Sequence, residues 1–161
     1  MKGKVMNVTQ NVLLRILRSG DKTITSLIKL CYLIDLVSVK ETNNQITSFE
    51  YIRYNYGPFD KNIYSELQEM QINGVVKSCN RYSNSGDDGE HIVLYGACGD
   101  YEAPDNLTDA QRGIIDKVLT SLEGFGPKNL TELAYKTKPM VAFNATLGGT
   151  EHMGEKLNLK A

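Results

Sequence analysis

His91 and His152, with Cys31, Cys79 and Cys98, are the side chains best suited to metal ligation, proton transfer or nucleophilic attack. Such chemistry needs convergent groups at fixed spacings. The histidines fall in no H-E-x-x-H or other metal pattern, and no two cysteines form a C-x-x-C pair. Neither a G-x-S-x-G elbow nor a phosphate- or dinucleotide-binding glycine loop occurs. Cys31 lies in the most apolar helical pattern, where a thiol is usually an inert packing group. The odd number and wide spacing of the cysteines read as reduced thiols of a cytoplasmic protein. These residues predict no enzyme, no metal site and no cofactor. What stands out instead is aromatic: Tyr51, Tyr54, Tyr56, Phe59 and Tyr64 crowd around Gly57-Pro58. Gly57 opens backbone angles closed to other residues, and Pro58 fixes its own φ. A stiff corner carrying tyrosines suits a protein interface, because the ring joins a large apolar face to a polar tip. Packing of each ring against a neighbouring helix is the competing reading, and it stays open at this stage.

The elements that must hold this corner follow from periodicity. Val8, Val12, Leu13, Ile16 and Leu17 mark one face of a helix that Ser19-Gly20 stops. A second helix, capped by Thr25 or Ser26, runs to about Val39 and is apolar nearly all round, which predicts a central position. Lys29, Tyr32 and Asp35 are its polar exceptions. Residues 41–45 read as a loop, and 49–54 as a short helix entering the corner. Asp60 is expected to cap a helix ending near Gly74. Two β-rich segments, 75–82 and 91–95, flank a polar, Gly-punctuated loop. Setting Tyr82 opposite His91 places Cys79 opposite Leu94 and Cys98 opposite Val75. Thr108 with Gln111, and Asn129 with Glu132, are two capping boxes, the second opening a short helix that stops before Pro139. Residues 146–161 have three glycines and no period, so they form a tail that is ordered only if docked. The fold class is α+β, mostly helical, with one domain over 1–145, a small winged-helix-like β-hairpin and a tail over 146–161.

Composition narrows the partners. The chain has 161 residues, 23% of them charged, and a net charge of −1. That balance offers no global attraction to phosphate, so nucleic-acid binding needs a local basic patch. The helix after Asp60 carries Lys61 against Asp60, Glu66 and Glu69, and the hairpin loop carries Asp87, Asp88 and Glu90. These carboxylates oppose docking on DNA. No apolar run approaches a membrane span, and no signal-like apolar stretch follows Met1-Lys2-Gly3-Lys4.

Lys29-Leu30-Cys31-Tyr32-Leu33-Ile34-Asp35 resembles the K-L-L-Y-L-A-D helix of the Panacea domain of SocA-like antitoxins, also described as phage-associated proteins. Ile46-Thr47-Ser48-Phe49, Tyr54-x-Tyr56-Gly57-Pro58 and Ile63-Tyr64-x-x-Leu67 are similar to the segments that follow that helix in the family, and Leu130-Thr131-Glu132-Leu133 before Pro139 to a later one. The chain differs in having Cys31 for a leucine, Tyr135 and Lys136 near a usual histidine, and a long acidic loop. The resemblance implies a non-catalytic antitoxin that binds a cognate toxin protein directly and that, in some relatives, delivers it to a cellular protease. Lys29, Tyr32, Asp35, Gly57 and Pro58 are then motif residues with a structural role. Tyr54, Tyr56, Phe59 and Tyr64 are the candidate partner contacts. A winged-helix-like transcriptional regulator is the alternative; DNA binding and a homodimer are left open.

Overall fold

A computed structural model describes residues 5–82, 91–99 and 105–161. Among the described residues the elements run α1 (Val8–Arg18), α2 (Ile24–Thr42), β1 (Ile52–Tyr54), β2 (Gly57–Phe59), α3 (Asn62–Ile72), β3 (Val76–Tyr82), β4 (His91–Ala97), α4 (Asp109–Ser121), α5 (Pro127–Tyr135) and α6 (Lys138–Ala142). The fold is therefore α+β and mostly helical, with two antiparallel hairpins, β1–β2 and β3–β4. The acidic loop carrying Asp87, Asp88 and Glu90 lies outside the described residues.

Local chemistry starts most of the helices. Asn7 and Gln10 form a reciprocal capping box at α1, and Thr108 and Gln111 form the expected one at α4. Thr23, rather than Thr25 or Ser26, caps α2, accepting a hydrogen bond from the Ser26 N–H. The helix runs to Thr42 and stops at Asn43, which takes the left-handed conformation (φ 63°) that asparagine tolerates. Helix α5 starts before the expected box at Asn129, because Pro127 suits a first turn where its missing N–H costs nothing. A further short helix, α6, opens around Pro139.

Helix α2 is the hub, touching α1, α4, α5 and β2. Ile28, Cys31, Tyr32 and Ile34 are wholly buried in it. Each large aliphatic side chain so buried contributes about 1.5–3 kcal/mol from water exclusion. The β3–β4 register pairs Tyr82 with His91 and Cys79 with Leu94, and the Cys98 N–H donates to Val75 O, as the alternation predicts.

One expectation gives way, and the condition set on the tail is met. Residues 49–54 are extended rather than helical: Ile52–Tyr54 pairs with Gly57–Phe59 in a hairpin whose loop is Asn55-Tyr56. The segment 146–161 is docked along the other side of β1. There Gly154 N–H donates to Arg53 O (2.7 Å), Arg53 N–H to Glu155 O (2.8 Å) and Leu157 N–H to Tyr51 O (2.9 Å), with Leu157 buried. A short strand with both edges occupied satisfies donors and acceptors that a helix would have satisfied internally.

Candidate functional site

The corner is built outward from α2. Lys29, Tyr32 and Asp35 are 2% exposed or less, and each ties down a different segment. Lys29 Nζ donates to Pro58 O at 3.3 Å, holding β2. Burial lowers its ammonium pKa from 10.5 to about 8. Tyr32 shares a hydrogen bond with Thr137 Oγ1 (2.8 Å), holding the junction of α5 and α6, and its ring meets Tyr51 edge-on at 5.3 Å. Burial raises the Tyr32 phenol, against the pull of Thr137.

Asp35 organises the chain that leads into β1. Its Oδ1 accepts from the N–H groups of Ile46 and Thr47, both at 3.0 Å. Its Oδ2 accepts from Thr47 Oγ1 (2.5 Å), Tyr51 Oη (2.7 Å) and Gln45 Nε2 (3.3 Å). Burial pushes the carboxyl up, and these hydroxyl and backbone donors hold it down against that push. Cys31, beside it, is buried and its thiol is pushed well up, which removes the thiolate needed for reactivity.

Arg53 is a determinant that the sequence did not reveal. It is fully buried in β1, where its Nη1 donates to Tyr54 O and to Tyr135 Oη (3.2 Å). Its Nη2 donates to Thr146 O (2.8 Å) and Gly149 O (2.9 Å), which fastens the C-terminal segment. The guanidinium also lies 5.4 Å from the centre of the Tyr135 ring. Asp60 Oδ2 takes the Glu50 N–H (2.8 Å) and Oδ1 the Asn62 N–H (2.9 Å), so it braces the base of the hairpin; the residue preceding α3 is Lys61, which makes no side-chain cap.

On this frame the candidate contact residues divide. Tyr54 and Phe59 stack at 5.5 Å with 25° between their planes, and Tyr64 of α3 tilts against Phe59 at 6.1 Å. Phe59 is the half-buried floor; Tyr54 and Tyr64 are 44% and 51% exposed. Tyr56, 64% exposed, occupies the loop tip rather than this cluster. Tyr51 belongs to the core, 2% exposed. One rigid corner thus presents rings from β1, β2, their loop and α3. Gly57 and Pro58 are buried beneath.

Gly57 has φ +106°, and a Cβ there would meet Tyr135, Lys29 and Ala134 no closer than 3.5 Å. Space is available, so the obstacle to a side chain is the backbone angle. Gly57→Ala is expected to lose about 1–2 kcal/mol of stability, read as a lower midpoint in urea. An unchanged midpoint would show that the turn tolerates a side chain.

No group of three or more His, Cys, Asp or Glu among the described residues is placed to hold a metal ion. None of the described helices is long and apolar enough to cross a membrane. The family model described as Antitoxin SocA-like, Panacea domain, matches residues 27–139, which take in the hub helix from Leu27 onward, the corner and the start of α6. No curated protein and no solved structure matches the chain.

Proposed function

The chain belongs to the family of SocA-like antitoxins with the Panacea domain, and from that premise we propose that it neutralises a cognate toxin by binding it directly, without catalysis. The observation that supports the surface is the ring cluster of Tyr54, Phe59 and Tyr64, with Tyr56 beside it, exposed on a turn that buried bonds hold rigid. Preorganised aromatic anchors lose little conformational entropy on binding, which favours tight contact. Residues 1–145 are the binding unit, and 146–161 are a strap that stiffens β1. Delivery of the captured toxin to a cellular protease, which the family resemblance implies for some relatives, is a second step compatible with direct binding.

The test is growth rescue. The neighbouring toxin-like gene is co-expressed with the wild type and with Tyr56→Ala, after thermal melting has shown the variant folded. The wild type should restore growth. Truncating an anchor typically costs about 2 kcal/mol, or roughly thirtyfold in Kd, so the variant should fail. Rescue by Tyr56→Ala would move the interface elsewhere, and failure of the wild type against every adjacent gene product would remove the antitoxin reading. A DNA-binding regulator is the second reading, favoured by one feature: α3 leads directly into the hairpin β3–β4. Glu66 and Glu69 on α3 weigh against it.

A further inference from the structure

We propose that the groove between the C-terminal end of α2, the α5–α6 turn and residues 159–161 docks an acidic segment of a protein partner through an apolar anchor. The groove has a volume of about 490 Å³. Lys40, Lys136, Lys138 and Lys160 line it, and no aspartate or glutamate does. Among the described residues the lysine ion pairs are Lys117 with Glu41 and Lys156 with Glu50, so none of these four is neutralised within the fold. Leu36, Val39 and Leu159, half-buried, and Pro139, buried, supply the apolar part of the lining, whereas the lysines are exposed.

The contrast with the larger groove between α1 and α4, about 660 Å³, is informative. That groove also carries basic residues, but Asp105, Asp116 and Glu123 share its lining, and Arg15 is already paired with Asp105 and Asp116. Its charge is met internally. The lysine groove has no carboxylate in its lining, on a chain that is net −1, so its exposed ammonium groups are screened by solvent alone and stay available to an anionic ligand. A concave wall with one sign of charge steers a ligand of the opposite sign, and a buried apolar anchor then holds it. The chemistry favours a peptide over nucleic acid. The lining contains no arginine for bidentate phosphate contacts and no aromatic ring on which a base could stack.

This inference deepens the partner-binding reading with a second, electrostatic dock, and its test uses no toxin, so the two can fail separately. A displayed library of random peptides is selected against the folded full chain, and the most enriched peptide is synthesised with a fluorophore. Its Kd is measured by anisotropy for the wild type, for Lys136→Glu with Lys138→Glu, and for Tyr56→Ala, each checked by thermal melting. The selected sequences should combine Asp or Glu with at least one apolar residue. Charge reversal should weaken binding by about tenfold or more, and added salt should weaken it further, while Tyr56→Ala leaves it unchanged. If the double variant does not fold, Lys160→Glu, an exposed lining residue outside the named helices, gives the same readout. Selection of non-acidic peptides, or equal affinity after charge reversal, overturns the proposal. So does equal competition by an apolar-free glutamate peptide or a single-stranded DNA oligonucleotide, either of which would reduce the groove to a general polyanion surface.

Discussion

Asp35→Ala is expected to remove about 4–5 kcal/mol of folding stability, enough to leave a protein of ordinary stability largely unfolded. Asp35 is fully buried, and its two oxygens accept from Ile46 N, Thr47 N, Thr47 Oγ1, Tyr51 Oη and Gln45 Nε2. Alanine leaves that set of donors facing an apolar void. An orphaned buried donor costs about 1–3 kcal/mol, and only part of the set can turn to water, because Tyr51 and Thr47 are themselves buried. Asp35→Asn keeps one oxygen but turns an amide donor toward the others, so it should lie between alanine and the wild type. Urea unfolding followed by circular dichroism gives the order. A midpoint for Asp35→Ala within error of the wild type would show that the segment 45–51 is held by something other than this carboxylate.

The helices were legible because their causes are local. The capping box at Thr108 and the apolar circumference of α2 were read from neighbouring residues alone, whereas the equally local box of Asn7 with Gln10 went unread. The errors arose where distant chain supplies the partner. Residues 52–54 had a local strand signal in Tyr51, Ile52 and Tyr54 and a partner just beyond the turn at 57–59, but the approach is fixed by Asp35 and the outer edge of β1 is occupied by 154–157. Arg53, set among tyrosines, reads as a surface charge, and only the carbonyls of Thr146 and Gly149 explain why it is buried. The docking of a glycine-rich, aperiodic tail was illegible for the same reason. The misplaced start of α5 is different, since Gly126-Pro127 was a local signal that outranked the box at Asn129. At the corner, sequence located the aromatic density but could not separate core from surface. Tyr51 and Tyr54 are three residues apart, yet one packs on Tyr32 and the other faces solvent.

Lys29→Met should change the pH dependence of stability by about 3 kcal/mol, and the sign identifies the cause. The Lys29 ammonium titrates near 8 in the folded protein because burial disfavours its charge, against 10.5 unfolded. The unfolded chain therefore holds this proton more tightly, and the gap corresponds to about 3 kcal/mol. A folded value below the unfolded one means that the contribution to stability is present above pH 10.5 and is lost as pH falls through about 8. At pH 7 the wild type bears the cost of a buried ammonium that has one acceptor, Pro58 O at 3.3 Å. Methionine has similar length and no charge, so Lys29→Met should be the more stable protein at pH 7. The gain is reduced by about 1 kcal/mol for the lost bond to Pro58. Between pH 8 and 10.5 the wild type sheds its penalty and the variant does not change in this respect, so the two stabilities should converge and then cross. Tyrosine and cysteine titrations are common to both proteins and cancel in the difference. Parallel curves across that interval would show that the Lys29 charge is solvated in the native state, and that its contact beneath Gly57 is packing by the methylene stem alone.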